Sequence, residues 1–338
     1  MSSNPEKPPA SGRNTRIVGT GSYVPERILT NADLEKIVDT TDEWILTRTG
    51  IRERRISSSD QASSDLAEAA CRLALEDARV DPAGLDAIIV ATVTPDHMFP
   101  STACLLQHRL GASGAFAFDI SAACSGFLYA LHVARAMINS NQAESILVAG
   151  VESLSKITDY TDRSTCILFG DGAGAAVLGP GAVGEGILGS VLRADGRYGD
   201  LIIQPAGGSR IPMSREAFEK RQIYLHMKGN EVFKIGVRAM GDSCLRVLDQ
   251  AGLTPADVDI LIPHQANLRM IEATAKRLEI PMEKVVRNIQ RYGNTSAASV
   301  AIGLDETRRE GRIQKGDIVL TVAFGGGVTW AANVMRWA

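Results

Sequence analysis

The sequence has few aromatics, 5% of 338 residues, and no CxxC pair among its cysteines. Those five, Cys71, Cys104, Cys124, Cys166 and Cys244, are an odd number, which argues against a disulfide framework. The histidines (His97, His108, His132, His226 and His264) show neither HxxxH nor HExxH spacing, so no metal site is expected. No apolar run is long enough to span a bilayer. The opening MSSNPEKPPASGRN lacks an apolar h-region, and residues 1–13 read as a disordered tail, not a secretory signal. A cytoplasmic protein without a membrane partner is the expectation. Net charge is also small, at −3, and basic residues are not interleaved with aromatics, a poor fit to nucleic acid.

Glycine, in contrast, is plentiful at 32 residues, which suits tight βα turns and close helix packing. The charge is uneven. Residues 14–183 hold 13 Lys+Arg against 21 Asp+Glu, or −8, whereas residues 187–338 hold 21 against 16, or +5. A basic half on a mildly acidic chain suggests either an anionic partner or substrate or an ordinary uneven surface.

The chain also repeats itself. Residues 71–90, CRLALEDARVDPAGLDAIIV, match residues 244–263, CLRVLDQAGLTPADVDILIP, at 7 of 20 positions and an offset of 173. Chance would give roughly one or two. Each copy reads as a helix, then an N-cap and proline (Asp81-Pro82, Thr254-Pro255), then a short apolar strand. Such strands between helices suggest a sheet buried on both faces. Further on, Ser121-Ala-Ala-Cys124 is matched to Ser296-Ala-Ala-Ser299 at an offset of 175, each quartet opening a helix. Two similar α/β halves are therefore expected.

Within DISAACSGFLYAL, Cys124 stands among Ala122, Ala123, Ser125 and Gly126, which clear space around it. A thiol at a helix start is favoured as a thiolate. The competing reading is a buried structural cysteine, the role assigned to Cys71, Cys104, Cys166 and Cys244. FGDGAGAAVLG fits a loose dinucleotide fingerprint through Gly170, Gly172 and Ala175, but AAVLG reads as a strand where the fingerprint needs a helix. A structural turn near the active site is the better reading, with no nicotinamide cofactor.

DISAACSGF, FGDGAGAAVL, PHQANLRM, GNTSAAS and AFGGGVTW occur in the order and spacing of one family, across roughly residues 14–338. By these stretches the chain resembles β-ketoacyl-acyl carrier protein synthase III, the initiating condensing enzyme of bacterial fatty acid synthesis. The resemblance implies an α/β, thiolase-like fold with two pseudo-symmetric halves in layered αβαβα order. The halves would be residues 14–183, carrying the nucleophile, and 184–338, carrying His, Asn and a Gly-rich oxyanion loop. It implies a decarboxylating Claisen condensation of a short acyl-CoA primer, acetyl-CoA being expected, with malonyl-acyl carrier protein. Acyl-CoA is then a substrate, no cofactor is needed, and the chain works as a homodimer.

The resemblance assigns Cys124, His264 and Asn294 as catalytic, with Cys124 acylated and the other two donating to the enolate oxygen. The backbone N–H groups of Cys124 and Gly326 would form the second oxyanion site. Trp44 and Arg163 would sandwich the adenine of coenzyme A, with Arg48 meeting phosphate. Phe324 would exclude water, and Phe99 would cross the dimer to close the partner's acyl pocket. Lys234 and Arg269 would dock the acidic carrier protein. Ser125, Leu128 and Phe99 are expected to bear on primer choice. Elongating synthases, which use two histidines, fit less well. Polyketide- and quinolone-type condensing enzymes share the same trio and remain open. A papain-like thiol hydrolase lacks its C-G-[SA]-C-[WY] motif here. A non-catalytic binding protein would not need all three residues.

Overall fold

The computed structural model describes residues 14–338, so the expected tail at 1–13 lies outside the described residues. The first part of the chain runs β1 (Asn14–Tyr23), β2 (Ile28–Thr30), α1 (Asn31–Leu34), α2 (Asp42–Thr49), β3 (Glu53–Arg55), α3 (Ser63–Ala78), β4 (Ala87–Ala91), α4 (Thr102–Leu110), β5 (Phe116–Ile120), α5 (Gly126–Asn139), β6 (Ile146–Glu152) and β7 (Gly172–Gly181). The second part runs β8 (Gly186–Ala194), β9 (Ile202–Ile203), α6 (Arg215–Glu219), β10 (His226–Met227), α7 (Gly229–Gln250), β11 (Ile260–Pro263), α8 (Leu268–Arg277), α9 (Ile289–Tyr292), α10 (Ala298–Arg309), β12 (Ile318–Gly325) and β13 (Thr329–Arg336).

Two main sheets repeat one topology. The first has the order β1-β7-β6-β4-β5 and the second β8-β13-β12-β11. In both, two strands are antiparallel additions to a parallel core. The missing fifth strand of the second sheet is reduced to a single parallel bridge between Leu261 and Val285, where β5 would stand. The capped turns before β4 and β11 also agree. The Asp81 carboxylate accepts the Ala83 N–H, Thr254 and Asp257 form a reciprocal box, and each proline opens one 3-10 turn.

Side-chain alternation along the strands sets the layers. Ile88 and Val90 point outward to α3 and α4, while Ala87, Ile89 and Ala91 point inward to α5. Likewise Leu320 and Val322 face α7 and α8, and Val319 and Ala323 face the centre. The central layer is α5 and α10, enclosed by both sheets. On α5, Phe127, Leu131, Ala134 and Ile138 recur at helical spacing and are wholly buried. Each such Leu or Ile contributes about 1.5–3 kcal/mol by leaving water. The order is therefore αβαβα.

The structure revises one detail of the repeat. The residues in left-handed conformation just ahead of α5 and α10 are Ala123 (φ 45°) and Ser296 (φ 46°). They lie 173 apart, the offset of the longer match, and not 175. Ala297, not Ser299, thus stands where Cys124 does. The SAAC/SAAS identity placed the quartets two residues out of register because small residues recur on both turns. Cys104 is a second revision: it is exposed on α4, whereas Cys71, Cys166 and Cys244 are buried.

The central layer leaves no room for added volume. A Cβ on Gly174 of β7 would lie 2.5 Å from the Ala301 Cβ and 2.8 Å from the Ile302 backbone nitrogen on α10. Gly174→Ala is expected to cost about 1–3 kcal/mol and to lower the thermal unfolding midpoint. An unchanged midpoint would show that α10 can shift at no cost.

Candidate active site

Cys124 enters the site from a one-turn 3-10 segment, Ala123–Ser125, that feeds α5. The turn is held by side chains from both halves. Ser125 Oγ donates to Thr329 Oγ1 at 2.7 Å, and Thr329 Oγ1 lies 2.8 Å from the Ala122 carbonyl oxygen and 3.2 Å from that of Gly326. A Cβ on Gly325 would sit 2.5 Å from the Cys124 backbone nitrogen, so only glycine lets the end of β12 come this close.

His264 follows β11 directly. Its backbone N–H donates to the Val322 carbonyl at 2.7 Å, and its Nδ1 is 2.6 Å from Ser299 Oγ on α10. Asn294 follows α9 after Gly293 (φ 63°) and is stitched to the FGDGAG turn. Its N–H donates to Leu168 O at 2.8 Å, and the Gly170 N–H donates to Asn294 O at 3.0 Å. The Ser296 N–H donates to Asn294 Oδ1 at 2.8 Å. That fixes the amide orientation and, among the described residues, leaves its NH₂ group without an acceptor. FGDGAG is followed by strand β7, not a helix, and Asp171 accepts from the N–H and hydroxyl groups of Ser57 and Ser155.

One cavity of about 1070 Å³ is lined by Cys124, His264, Asn294, Phe324 and Gly326, with Trp44, Arg48, Arg163, Lys234 and Arg269 also on its wall. Phe99 does not line it; it is 85% exposed on its own chain. Ser125 and Leu128 are wholly buried and do not line it either, because Ser125 is spent on the turn and Leu128 faces the central layer. The chain traced by β9, β10 and the start of α7 supplies Ile202, Gln204, Met227, Asn230 and Phe233 instead.

The sequence matches the family model described as 3-oxoacyl-[acyl-carrier-protein (ACP)] synthase III over residues 118–196 and its C-terminal model over residues 248–337. It is 59% identical to the β-ketoacyl-[acyl-carrier-protein] synthase III of Caldanaerobacter subterraneus over 95% of this chain and 97% of that one. It is 54% identical to the protein of the same name from Desulfitobacterium hafniense, with the same coverage. The crystal structure of the Aquifex aeolicus 3-oxoacyl-[acyl-carrier-protein] synthase III superposes with a TM-score of 0.89 at 50% identity, covering 96% of this chain and all of that one. The chain belongs to the β-ketoacyl-acyl carrier protein synthase III family. It is an acyltransferase with the thiolase-like fold, and it carries out the condensation that initiates fatty acid synthesis. A priming β-ketosynthase of a polyketide pathway has the same fold (TM-score 0.90) at a lower 38% identity, over 98% of this chain and 99% of that one.

In this synthase, burial governs the protonation of the trio. It pushes His264 down from 6.5 to about 3, so the ring is neutral throughout the physiological range. It pushes the Cys124 thiol up to about 12; a Ser296 hydroxyl hydrogen bond pulls the other way, and Glu152 adds to the rise. The thiolate expected from the helix start is thus outweighed by desolvation, the cations that line the cavity among the described residues being exposed ones.

Glu152 and Ser296 escaped the sequence reading. Glu152, at the end of β6, is wholly buried. It accepts from Thr94 Oγ1 at 2.7 Å, Val93 N–H at 3.1 Å, Ser296 Oγ at 3.1 Å and Thr92 Oγ1 at 3.3 Å. Burial still raises it from 4.5 to about 7. An acidic residue closing an apolar strand was the one available signal. Trp44 carries both Arg48 (4.6 Å from the ring centroid) and Arg163 (4.9 Å). Arg163 therefore stacks on the indole itself, closer than an intercalated base allows, and its guanidinium donates to the Asp39 carbonyl at 2.9 Å.

A raised thiol pKa means that the neutral form prevails near pH 7 and that reactivity climbs with pH. Alkylation of Cys124 by iodoacetamide is expected to accelerate about tenfold per pH unit between pH 7 and 9. Glu152→Gln should speed it at pH 8 by removing a negative neighbour. Peptide mass mapping must follow the reaction, since exposed Cys104 also reacts. A rate already level at pH 7 would show a standing thiolate.

Proposed function

We propose that Cys124, His264 and Asn294 carry this condensation, with a short acyl-CoA, acetyl-CoA first among them, as primer. The observation that carries the reading is the convergence of a thiol, a neutral imidazole and an amide with its NH₂ group free on one cavity wall.

In the first half-reaction the Cys124 sulfur attacks the thioester carbonyl of the primer. Its proton leaves with the coenzyme A thiol, and one thioester replaces another at little cost in energy. The N–H groups of Cys124 and Gly326 stabilise the tetrahedral oxyanion; the bare Gly325 surface lets these two backbones approach. In the second half-reaction malonyl-acyl carrier protein loses CO₂. The pair of electrons from the broken C–C bond moves onto the thioester oxygen, where His264 and Asn294 donate hydrogen bonds. A neutral imidazole serves as donor without first giving up a proton. The enolate carbon then attacks the acyl group on Cys124, and the sulfur leaves as thiolate and takes one proton from solvent. Phe324, buried beside these groups and stacked on Trp330, keeps water from the enolate.

Trp44, Arg48 and Arg163 receive the adenosine and phosphates of coenzyme A. The base enters by displacing Arg163 from the indole face. Lys234 and Arg269 at the cavity wall meet the acidic carrier protein. The chain acts as a cytoplasmic homodimer in which Phe99 closes the partner's pocket. In support, Met98 (78%) and Phe99 (85%) are exposed on one chain in the loop just ahead of α4, whose first N–H groups donate to Asp119 of the edge strand β5.

Intact-protein mass spectrometry tests the reading. Mixing with acetyl-CoA should add one acetyl group to the wild type and none to Cys124→Ser. Longer acyl-CoAs run in parallel rank the primers. No adduct with any acyl-CoA would overturn the assignment of Cys124 as the acylated residue.

A further inference from the structure

We infer that Ser299 is the positioning residue that holds His264 in the tautomer needed for enolate stabilisation. The inference rests on the reading of His264 as a hydrogen-bond donor.

His264 is 1% exposed and neutral, so one ring nitrogen carries a hydrogen and the other a lone pair. Which is which decides function. With hydrogen on Nε2, the ring donates to an oxygen in the cavity. With hydrogen on Nδ1, it presents a lone pair to a developing negative charge.

The geometry selects the first arrangement. Ser299, in the first turn of α10, is 2% exposed. Its Oγ lies 2.6 Å from His264 Nδ1 and accepts the Gln265 N–H at 3.4 Å. Among the described residues no carbonyl or carboxylate oxygen accepts from this hydroxyl. A buried hydroxyl must place its hydrogen, and Nδ1 is the acceptor in reach. Ser299 therefore donates to Nδ1, and Nε2 carries the ring hydrogen. Gln265 is itself clamped: its Nε2 donates to Pro263 O and Val286 O, and its Oε1 accepts the N–H groups of Asn288 and Ile289. The Gln265 N–H is thus fixed against Ser299, and the hydroxyl cannot turn away freely. The turn into α10 so orients both enolate donors: the Ser296 N–H holds the Asn294 amide, and the Ser299 hydroxyl holds the His264 ring.

Nitrogen-15 NMR of the full-length, histidine-labelled protein reads the tautomer directly. His264→Ala identifies the His264 signals by their loss. The wild type should show Nε2 protonated and Nδ1 bare; the reverse would overturn the inference without any Ser299 variant. Ser299→Ala should weaken this preference and lower the ratio of malonyl decarboxylation rate to Cys124 acylation rate at least tenfold, since acylation does not use the His264 donor. Ser299→Cys, which keeps a weak donor, should recover part of the ratio. An unchanged tautomer and ratio in folded Ser299→Ala would also overturn it. If His264→Ala itself left decarboxylation intact, the donor reading of His264 would fail, an outcome separable from failure of the Ser299 inference alone.

Discussion

A Cβ on Gly325 would lie 2.5 Å from the Cys124 backbone nitrogen, and a Cβ on Gly150 would lie 2.4 Å from the Ala297 carbonyl oxygen. These two close approaches are reciprocal. In each, the turn that opens a central helix of one half is pressed against a strand of the other half. Neither sheet can bury its inner face alone, so α5 and α10 must lie between both. Once they do, their first turns are held at strand ends of the opposite half. The Cys124 thiol from one half then shares a cavity with the His264 imidazole and Asn294 amide of the other.

The same burial sets the electrostatics. His264 and Asn294 are buried and Cys124 is half-buried, and the cations on the cavity wall are those of Arg48, Arg163, Lys234 and Arg269. Desolvation keeps the thiol protonated and the imidazole neutral. A site of oriented neutral dipoles suits a charge that exists only during reaction, because nothing needs to reorganise when it appears. Glu152 departs from this pattern. Burial raises it above the usual carboxylate range, and its four donors pull the other way. It ties the Thr92–Thr94 loop to Ser296, and so braces the α10 turn from the far side.

Much of the cavity lining was legible in the sequence. Cys124 announced itself by its small neighbours, and His264 by following an apolar strand. Ser296, Ser299 and Glu152 did not. Their roles lie in partners 35 to 144 residues distant, Ser299 with His264 and Ser296 with Glu152. A serine that donates to an imidazole looks in sequence like any serine on a helix. Ser125 and Leu128 misled for the converse reason. They adjoin Cys124 in the chain, yet the start of α5 turns them toward Thr329 and the central layer. Cys104 was taken as buried, but α4 places it on the exposed side.

Taken alone, the sequence determined the duplication, the strand–helix alternation that gives a layered α/β fold, and the setting of Cys124 among small residues at the start of a helix. Those are local properties, written in periodicity, caps and small-residue turns. The tertiary structure alone decided the true register of the repeat, the protonation of Cys124 and His264, and the hydrogen-bonded orientation of the His264 and Asn294 side chains. Each depends on desolvation or on a contact between the halves, and neither exists until both sheets close over α5 and α10.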